Sequence, residues 1–159
     1  MKKFFIMLLM TAMGTSAFAQ FEEGKKYINA SLSGAGLSYS DYEGFAFGVS
    51  TQAGYMFQQD WMLLGEVGWD YRHSDWRSVC LGAKARYYME ENGLFVSGGV
   101  RFLHEFKNHN DFQLTPELGY CLFLSKDVTI EPVAYLDLSL ADFGHNTKIG
   151  LKLGLSYYF

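Results

Sequence analysis

Twelve charged residues stand on one face of a repeated two-residue alternation. The acids are Glu66, Asp70, Glu105, Glu117, Glu131 and Asp137, and the bases are Arg72, Lys84, Arg86, Arg101, Lys148 and Lys152. Carboxylates and cations that converge on one enclosed space can pair and fill it, set the selectivity of a water path, or serve a reaction as acid and base. A bare charge in a narrow, partly dry interior is costly unless paired. Six acids against six bases therefore predict a network of ion pairs holding the space shut, with a small-solute channel as the alternative.

The other reactive side chains are sparse. Cys80 and Cys121 both fall on the inward face, but on opposite ends of their strands, too far apart in height for the Cα separation a disulfide tolerates. Two free thiols are expected. His73, His104, His109 and His145 gather at one presumed rim with Asp75, Asp111 and Asp142 nearby, yet no two histidines have ligand spacing within one loop. Polar loop composition explains them, so no metal and no cofactor are expected. A lipid-modifying enzyme would need an outward hydroxyl or base with partners. The outward faces offer only Thr51 and His104, the latter between Phe102 and Phe106, with no outward serine beside it. A non-enzymatic protein is the expectation.

What positions these residues is the period of the apolar ones. From residue 27 onward they recur at every second position: Phe45, Phe47, Val49, Ala53, Tyr55 and Phe57 in one run, and Ile149, Leu151, Leu153, Leu155, Tyr157 and Phe159 in the last. Alternation of this kind is a strand signal. Eight runs are counted, at about 25–39, 44–57, 61–72, 78–88, 94–106, 112–124, 128–140 and 148–159. Short connections make them an antiparallel meander, and an even number lets the meander close. The predicted fold is all-β, an eight-stranded antiparallel up-and-down barrel.

The faces say which kind of barrel. A soluble lipid carrier is apolar inside, whereas a membrane barrel carries its apolar band outward and its polar residues within. Charges on the scale counted above cannot line a pocket for fat. Runs of this length can cross the hydrocarbon as tilted strands. Aromatics gather at both ends of the apolar faces: Phe45, Phe47, Trp69, Tyr71, Phe102, Phe106 and Phe112 at one, Tyr55, Phe57, Trp61, Tyr87, Tyr157 and Phe159 at the other. Two girdles fit a transmembrane β-barrel.

Pro116 and Pro132 interrupt the middle of the sixth and seventh runs, where a closed barrel has no free edge, so a bulge is expected at each. In the first run Ile28, Ala30 and Leu32 are outward by even number and Leu37 and Tyr39 by odd. A one-residue shift near Gly34–Gly36 would reconcile them.

Residues 1–19 read as a secretory signal: Lys2 and Lys3, an apolar run from Phe4 to Met10, and Ala17-Phe18-Ala19 before Gln20. Cleavage would leave 20–159 as the barrel domain, with 11 basic and 17 acidic residues and a net charge of −6. That balance gives nucleic-acid binding no electrostatic support.

The terminal Phe159 with Tyr157 and alternating Leu155, Leu153 and Leu151 resembles the C-terminal signature of bacterial outer-membrane barrels. The stretches Gly54-Tyr55-Met56-Phe57, Asp60-Trp61, Gly65-Glu66-Val67-Gly68 and Pro116-Glu117-Leu118-Gly119-Tyr120 are similar to the hairpins of small OmpA/OmpX-like porin-family barrels. The resemblance implies a cell outer membrane of a Gram-negative envelope, outer-membrane lipid as surroundings, and the barrel-assembly machinery as the reader of the terminal signature; a monomer is the default expectation, since nothing on the apolar faces marks a protein interface apart from lipid. It also implies periplasmic turns at Gln58–Asp60, Met89–Gly93 and Ser125–Asp127. OmpA-type proteins continue into a domain that grips peptidoglycan; no such segment follows Phe159 here, so wall binding is not expected. OmpX-type proteins project long strands outward, whereas the loops near 40–43, 73–77, 107–111 and 141–147 are short, which weakens an adhesin reading.

Intact mass of the protein purified from outer membranes is expected to match a chain beginning at Gln20 with both thiols reduced. A mass two protons lower would show a disulfide.

Overall fold

The computed structural model describes residues 21–39, 46–72, 76–89, 93–105, 109–140 and 147–159; the side chains at 34–39, 46–47, 71–72, 76–77, 105 and 109 are not among those described. Ten strand segments appear in chain order: β1 (Lys26–Tyr39), β2 (Ala46–Gln58), β3 (Trp61–Arg72), β4 (Trp76–Tyr88), β5 (Leu94–Glu105), β6 (His109–Leu114), β7 (Glu117–Tyr120), β8 (Leu122–Phe123), β9 (Val128–Ser139) and β10 (Lys148–Tyr158). All pairings are antiparallel, and β10 pairs with β1, so the sheet closes on itself. β6, β7 and β8 are pieces of one spanning strand between β5 and β9, which makes a ring of eight strands. Closure removes every exposed sheet edge, which is why a chain with so few helix signals can be stable in this form. Among the described residues there is no helix.

The alternation holds almost residue by residue. In β10, Lys152, Gly154, Ser156 and Tyr158 are buried while Leu151, Leu153, Leu155 and Tyr157 are exposed, and Phe159 beyond them is exposed too. These five outward residues, the predicted assembly signature, are each about half exposed, from 49% to 55%. In a β-strand successive side chains point to opposite faces, so a large apolar residue at every second position yields one continuous outer band. Trp69 and Phe112 mark one end of that band, where Phe102 and Phe112 pack with centroids 5.1 Å apart. At the other end Trp61 lies between Phe57 and Tyr87, 6.5 and 5.0 Å away, and Tyr157 stacks on Phe159. Phe45 and Phe106 lie outside the described residues, as do the side chains of Phe47 and Tyr71.

Two expectations about irregularity are corrected. Neither proline carries a bulge. Gln113 opposite Ser139 and Leu114 opposite Leu138 precede the break at Pro116, and Glu117 opposite Tyr135 follows it in the same register. Thr115 N still donates to Gly99 O on one side, and Pro116 O accepts from Leu136 N on the other. Pro116 therefore removes a single donor from the ladder and splits the strand into segments without shifting it. Pro132 stands in unbroken register opposite Leu153. Both proline rings face outward. The irregularity in β1 is real but larger than one residue: Ser33 opposite Lys152 and Ser38 opposite Gly150 place three extra residues in β1. An odd insertion reverses the face, as the sequence requires.

Glycines on the inner wall make room for large neighbours. A Cβ on Gly119 would fall 2.3 Å from the ring of Phe95, which lies across it from the adjacent strand. Ring-over-glycine packing of this kind pins register. Gly119→Leu is expected to expel Phe95 and to destabilise the barrel by about 1–3 kcal/mol, read as a lowered urea midpoint of the protein refolded in vesicles.

Candidate functional site

The inward positions of seven strand segments meet in one charged layer. Glu66 on β3 and Glu117 on β7 both accept hydrogen bonds from Lys84 Nζ on β4. Lys152 Nζ on β10 donates to Glu117 Oε1 at 2.6 Å and lies 3.8 Å from Glu66 Oε2. Arg101 on β5 completes the layer, with NH2 2.9 Å from Glu66 Oε1 and NH1 2.7 Å from Asp137 Oδ2 on β9. Gln52 on β2 donates to Glu66, and Ser97 on β5 donates to Glu117 at 3.0 Å. The side chains of Glu66, Lys84 and Glu117 are wholly inaccessible to solvent. Each contact here joins strands across the lumen or around its wall, so the layer is a cross-brace as well as a filling.

A second cluster sits toward the end of the barrel that carries the β2–β3 and β8–β9 turns. Arg86 NH1 on β4 lies 3.0 Å from Glu131 Oε2 on β9. Tyr27 OH donates to Glu131 Oε2 at 2.7 Å, while Tyr158 OH and Thr129 Oγ1 donate to Oε1, each at 3.0 Å. The guanidinium also lies over Phe95, its central carbon 3.9 Å from the ring centroid, with Tyr27 and Tyr88 at 5.0 and 5.9 Å. A desolvated cation over aromatic faces gains electrostatic stabilisation beyond its ion pair. Charge pairing and hydrogen bonding thus offset the desolvation of Arg86 and Glu131 in part, with Arg86 Nε left without a hydrogen-bond partner.

Below this cluster the lumen turns apolar. Met56, Met62, Leu64, Phe95 and Phe21 pack with Tyr27, Tyr88 and Tyr158, all buried. The expectation of a polar lumen along its whole length is therefore corrected at this end. The signal was present: Met62 and Leu64 share the parity of Glu66, and Tyr88 that of Arg86. Above the charged layer the wall of β1–β4 is lined instead by small residues, among them Ser31, Ser50, Gly68 and Ser78.

Of the twelve charged residues named from the sequence, Glu66, Lys84, Arg86, Arg101, Glu117, Glu131, Asp137 and Lys152 are buried in these two clusters. Asp70 and Lys148 are half-buried toward the other mouth. The side chains of Arg72 and Glu105 lie outside the described residues. Asp111 was missed as an inward charge because the sixth run appeared to begin at 112, whereas β6 begins at His109. It is 2% exposed and accepts hydrogen bonds from Gln113 Nε2 at 3.0 Å and Ser139 Oγ at 2.9 Å. Its parity with Gln113, Thr115 and Glu117 could have revealed it. The buried charges among the described residues are thus five acids (Glu66, Asp111, Glu117, Glu131, Asp137) and four bases (Lys84, Arg86, Arg101, Lys152), with Asp111 an acid beyond the six expected.

Cys80 and Cys121 are both buried and both free, as the height argument requires. Among the described residues no three metal-binding side chains converge. His104 faces outward, with Nδ1 2.6 Å from Asn110 Oδ1; His73 and His145 lie outside the described residues.

No family model matches the chain, and no curated protein matches it in sequence. Solved structures do match it. Neisserial surface protein A has a TM-score of 0.66 at 15% identity, covering 86% of this chain and 100% of that one. The N-terminal barrel domain of Pseudomonas aeruginosa OprF gives 0.59 at 14%, covering 86% and 98%. Ail, the attachment invasion locus protein of Yersinia pestis, gives 0.53 at 16%, covering 86% and 99%.

Lys84→Met should strand Glu66 and Glu117 with one fewer cation in a dry layer and cost about 3–5 kcal/mol of unfolding free energy in urea titration. Lys126→Ala, on an exposed turn, should change it by less than about 0.5 kcal/mol.

In architecture the chain is a small eight-stranded antiparallel barrel, the fold it shares with these outer-membrane proteins.

Proposed function

We propose that the chain is a non-enzymatic integral protein of the Gram-negative outer membrane, with a structural or surface-interaction role in the envelope and a lumen closed by ion pairs. The observation that carries this reading is the opposition of its two faces. Outward stand large apolar side chains such as Leu32, Leu63, Val67, Leu81, Leu151 and Leu155, each more than 48% exposed, and inward stand paired charges. In water that outer band would be an aggregation surface; in lipid it is the solvent-matched face.

In this reading the signal at 1–19 is removed, the turns after β2, β4 and β8 face the periplasm, and the monomer sits in outer-membrane lipid after the barrel-assembly machinery reads Leu151 to Phe159. The surface role takes support from Ail, whose name describes attachment and invasion and whose fold is shared. Function does not follow from fold alone, so the rim is where a partner would be sought.

A narrow porin-like channel is the second reading. The small inward residues of β1–β4 above the charged layer favour it, because each fills less of the lumen than the rings and methionines below. The charged layer decides between the two. In planar bilayers the refolded protein, certified as folded by its heat-dependent gel shift, is expected to show no steady conductance, and Arg101→Ala to open one. Steady openings in the unmodified protein, merely altered in ion selectivity by Arg101→Ala, would favour the channel.

A further inference from the structure

The apolar floor contains one ring that does not belong to the barrel wall. Phe21 precedes β1, yet it is only 8% exposed. Its ring stacks on Tyr88 with centroids 3.9 Å apart and meets Phe123 and Tyr158 at 5.8 and 6.0 Å. Immediately inside this contact layer lies Cys121, whose Sγ is 3.7 Å from both Tyr158 OH and Glu131 Oε1. Glu131 in turn holds Arg86. Phe21 therefore covers a packed cluster whose far side is charged.

The tether of this ring differs from that of the long-strand residues around it. Met56, Met62, Tyr88, Phe95 and Tyr158 sit on strands paired on both sides. Phe21 is held through a short non-strand segment: Phe21 O accepts from Asp60 N at 3.2 Å, Lys25 N donates to Glu22 O at 3.4 Å, and the anchor to β2 is at Gly24 N, which donates to Met56 O at 2.8 Å, and Lys25 O, which accepts from Met56 N at 2.9 Å. Between Phe21 and that anchor Glu22 and Glu23 are exposed. Gly24 has φ +92°, and a Cβ there would meet nothing within 4 Å, so its requirement for glycine is purely conformational. Segments with few hydrogen bonds and exposed backbone open at lower free energy than the sheet they rest on.

We propose that residues 21–25 form a hinged lid on this end of the lumen, with Phe21 as its seal and Gly24 as its hinge, and that opening it exposes Cys121, Glu131 and Arg86 to water and small polar solutes. The lid is independent of the charged layer around Glu66 and Glu117. A barrel can be blocked by that layer and still open here, so conductance and lid opening fail or succeed separately.

The test uses Cys121 as a built-in reporter, in a Cys80→Ser background so that a single thiol remains. The refolded full-length mature barrel in vesicles is treated with a small membrane-impermeant thiol reagent, with the gel shift certifying folding in every sample. Slow labelling is expected with Phe21 in place, and labelling faster by at least about tenfold in Phe21→Ala. Phe21→Trp should stay slow. Gly24→Ala leaves the ring and the barrel wall untouched but strains the hinge, and should give a rate between the two; it carries the test alone if Phe21→Ala does not fold. Labelling of Cys121 that is as slow in the folded variants as in the parent would overturn the lid. So would labelling that is equally fast in all of them, since Phe21 would then seal nothing.

Discussion

Burying charge inside a closed sheet is the constraint from which the rest of this molecule follows. An outer face matched to hydrocarbon leaves the inner face to take the polar residues, and a ring of eight strands leaves that interior too narrow for bulk water around each ion. Every inward carboxylate must then find a cation or several donors. Glu66 has Lys84, Arg101, Lys152 and Gln52; Glu131 has Arg86 and three hydroxyls. Because Arg101 and Lys152 reach Glu66, and Arg86 and Tyr27 reach Glu131, from strands that are not its neighbours, satisfying the charges also fixes the cross-section. The small inward residues have the same origin: Gly119 exists where Phe95 needs its space, and Gly150 where the Tyr135 ring lies.

The two ends of the lumen solve the constraint differently. Toward the short turns the interior ends in aromatic and methionine side chains, with Arg86 seated on Phe95 as a bridge between the charged and apolar zones. Toward the other mouth the interior is small and polar, and a carboxylate such as Asp111 is satisfied by an amide and a hydroxyl. The barrel is thus asymmetric along its axis, although its outer band is much the same at both ends.

Much of this was legible in the sequence, because a two-residue period states both the strand and its faces. Ile149 to Phe159 alone defines one outward row, and eight charges assigned by parity fall in the two clusters where they pair. What the period does not carry is pairing in three dimensions. Nothing local says that Lys84 bridges Glu66 and Glu117, since Glu117 stands on β7, which pairs with β5 and β9 and not with β4. Pro116 suggested a bulge, and the ladder instead absorbed a single lost donor because the proline ring points outward and the register on both sides is held by long neighbours. The size of the β1 insertion escaped for the opposite reason: parity reveals that a shift is odd and cannot tell one residue from three. Phe21 was invisible because it lies before the first alternating residue.

The stability of the barrel depends on whether the buried charges are held by one another. The most direct measurement is a double-mutant cycle on Arg86 and Glu131, the pair with the fewest competing ions, by urea unfolding of the barrel in vesicles. Arg86→Met and Glu131→Leu are each expected to cost about 3–5 kcal/mol, and the double variant to cost about as little as one of them alone, giving a coupling of several kcal/mol. Additive losses would contradict the account, because each charge would then be stabilised by something other than its partner.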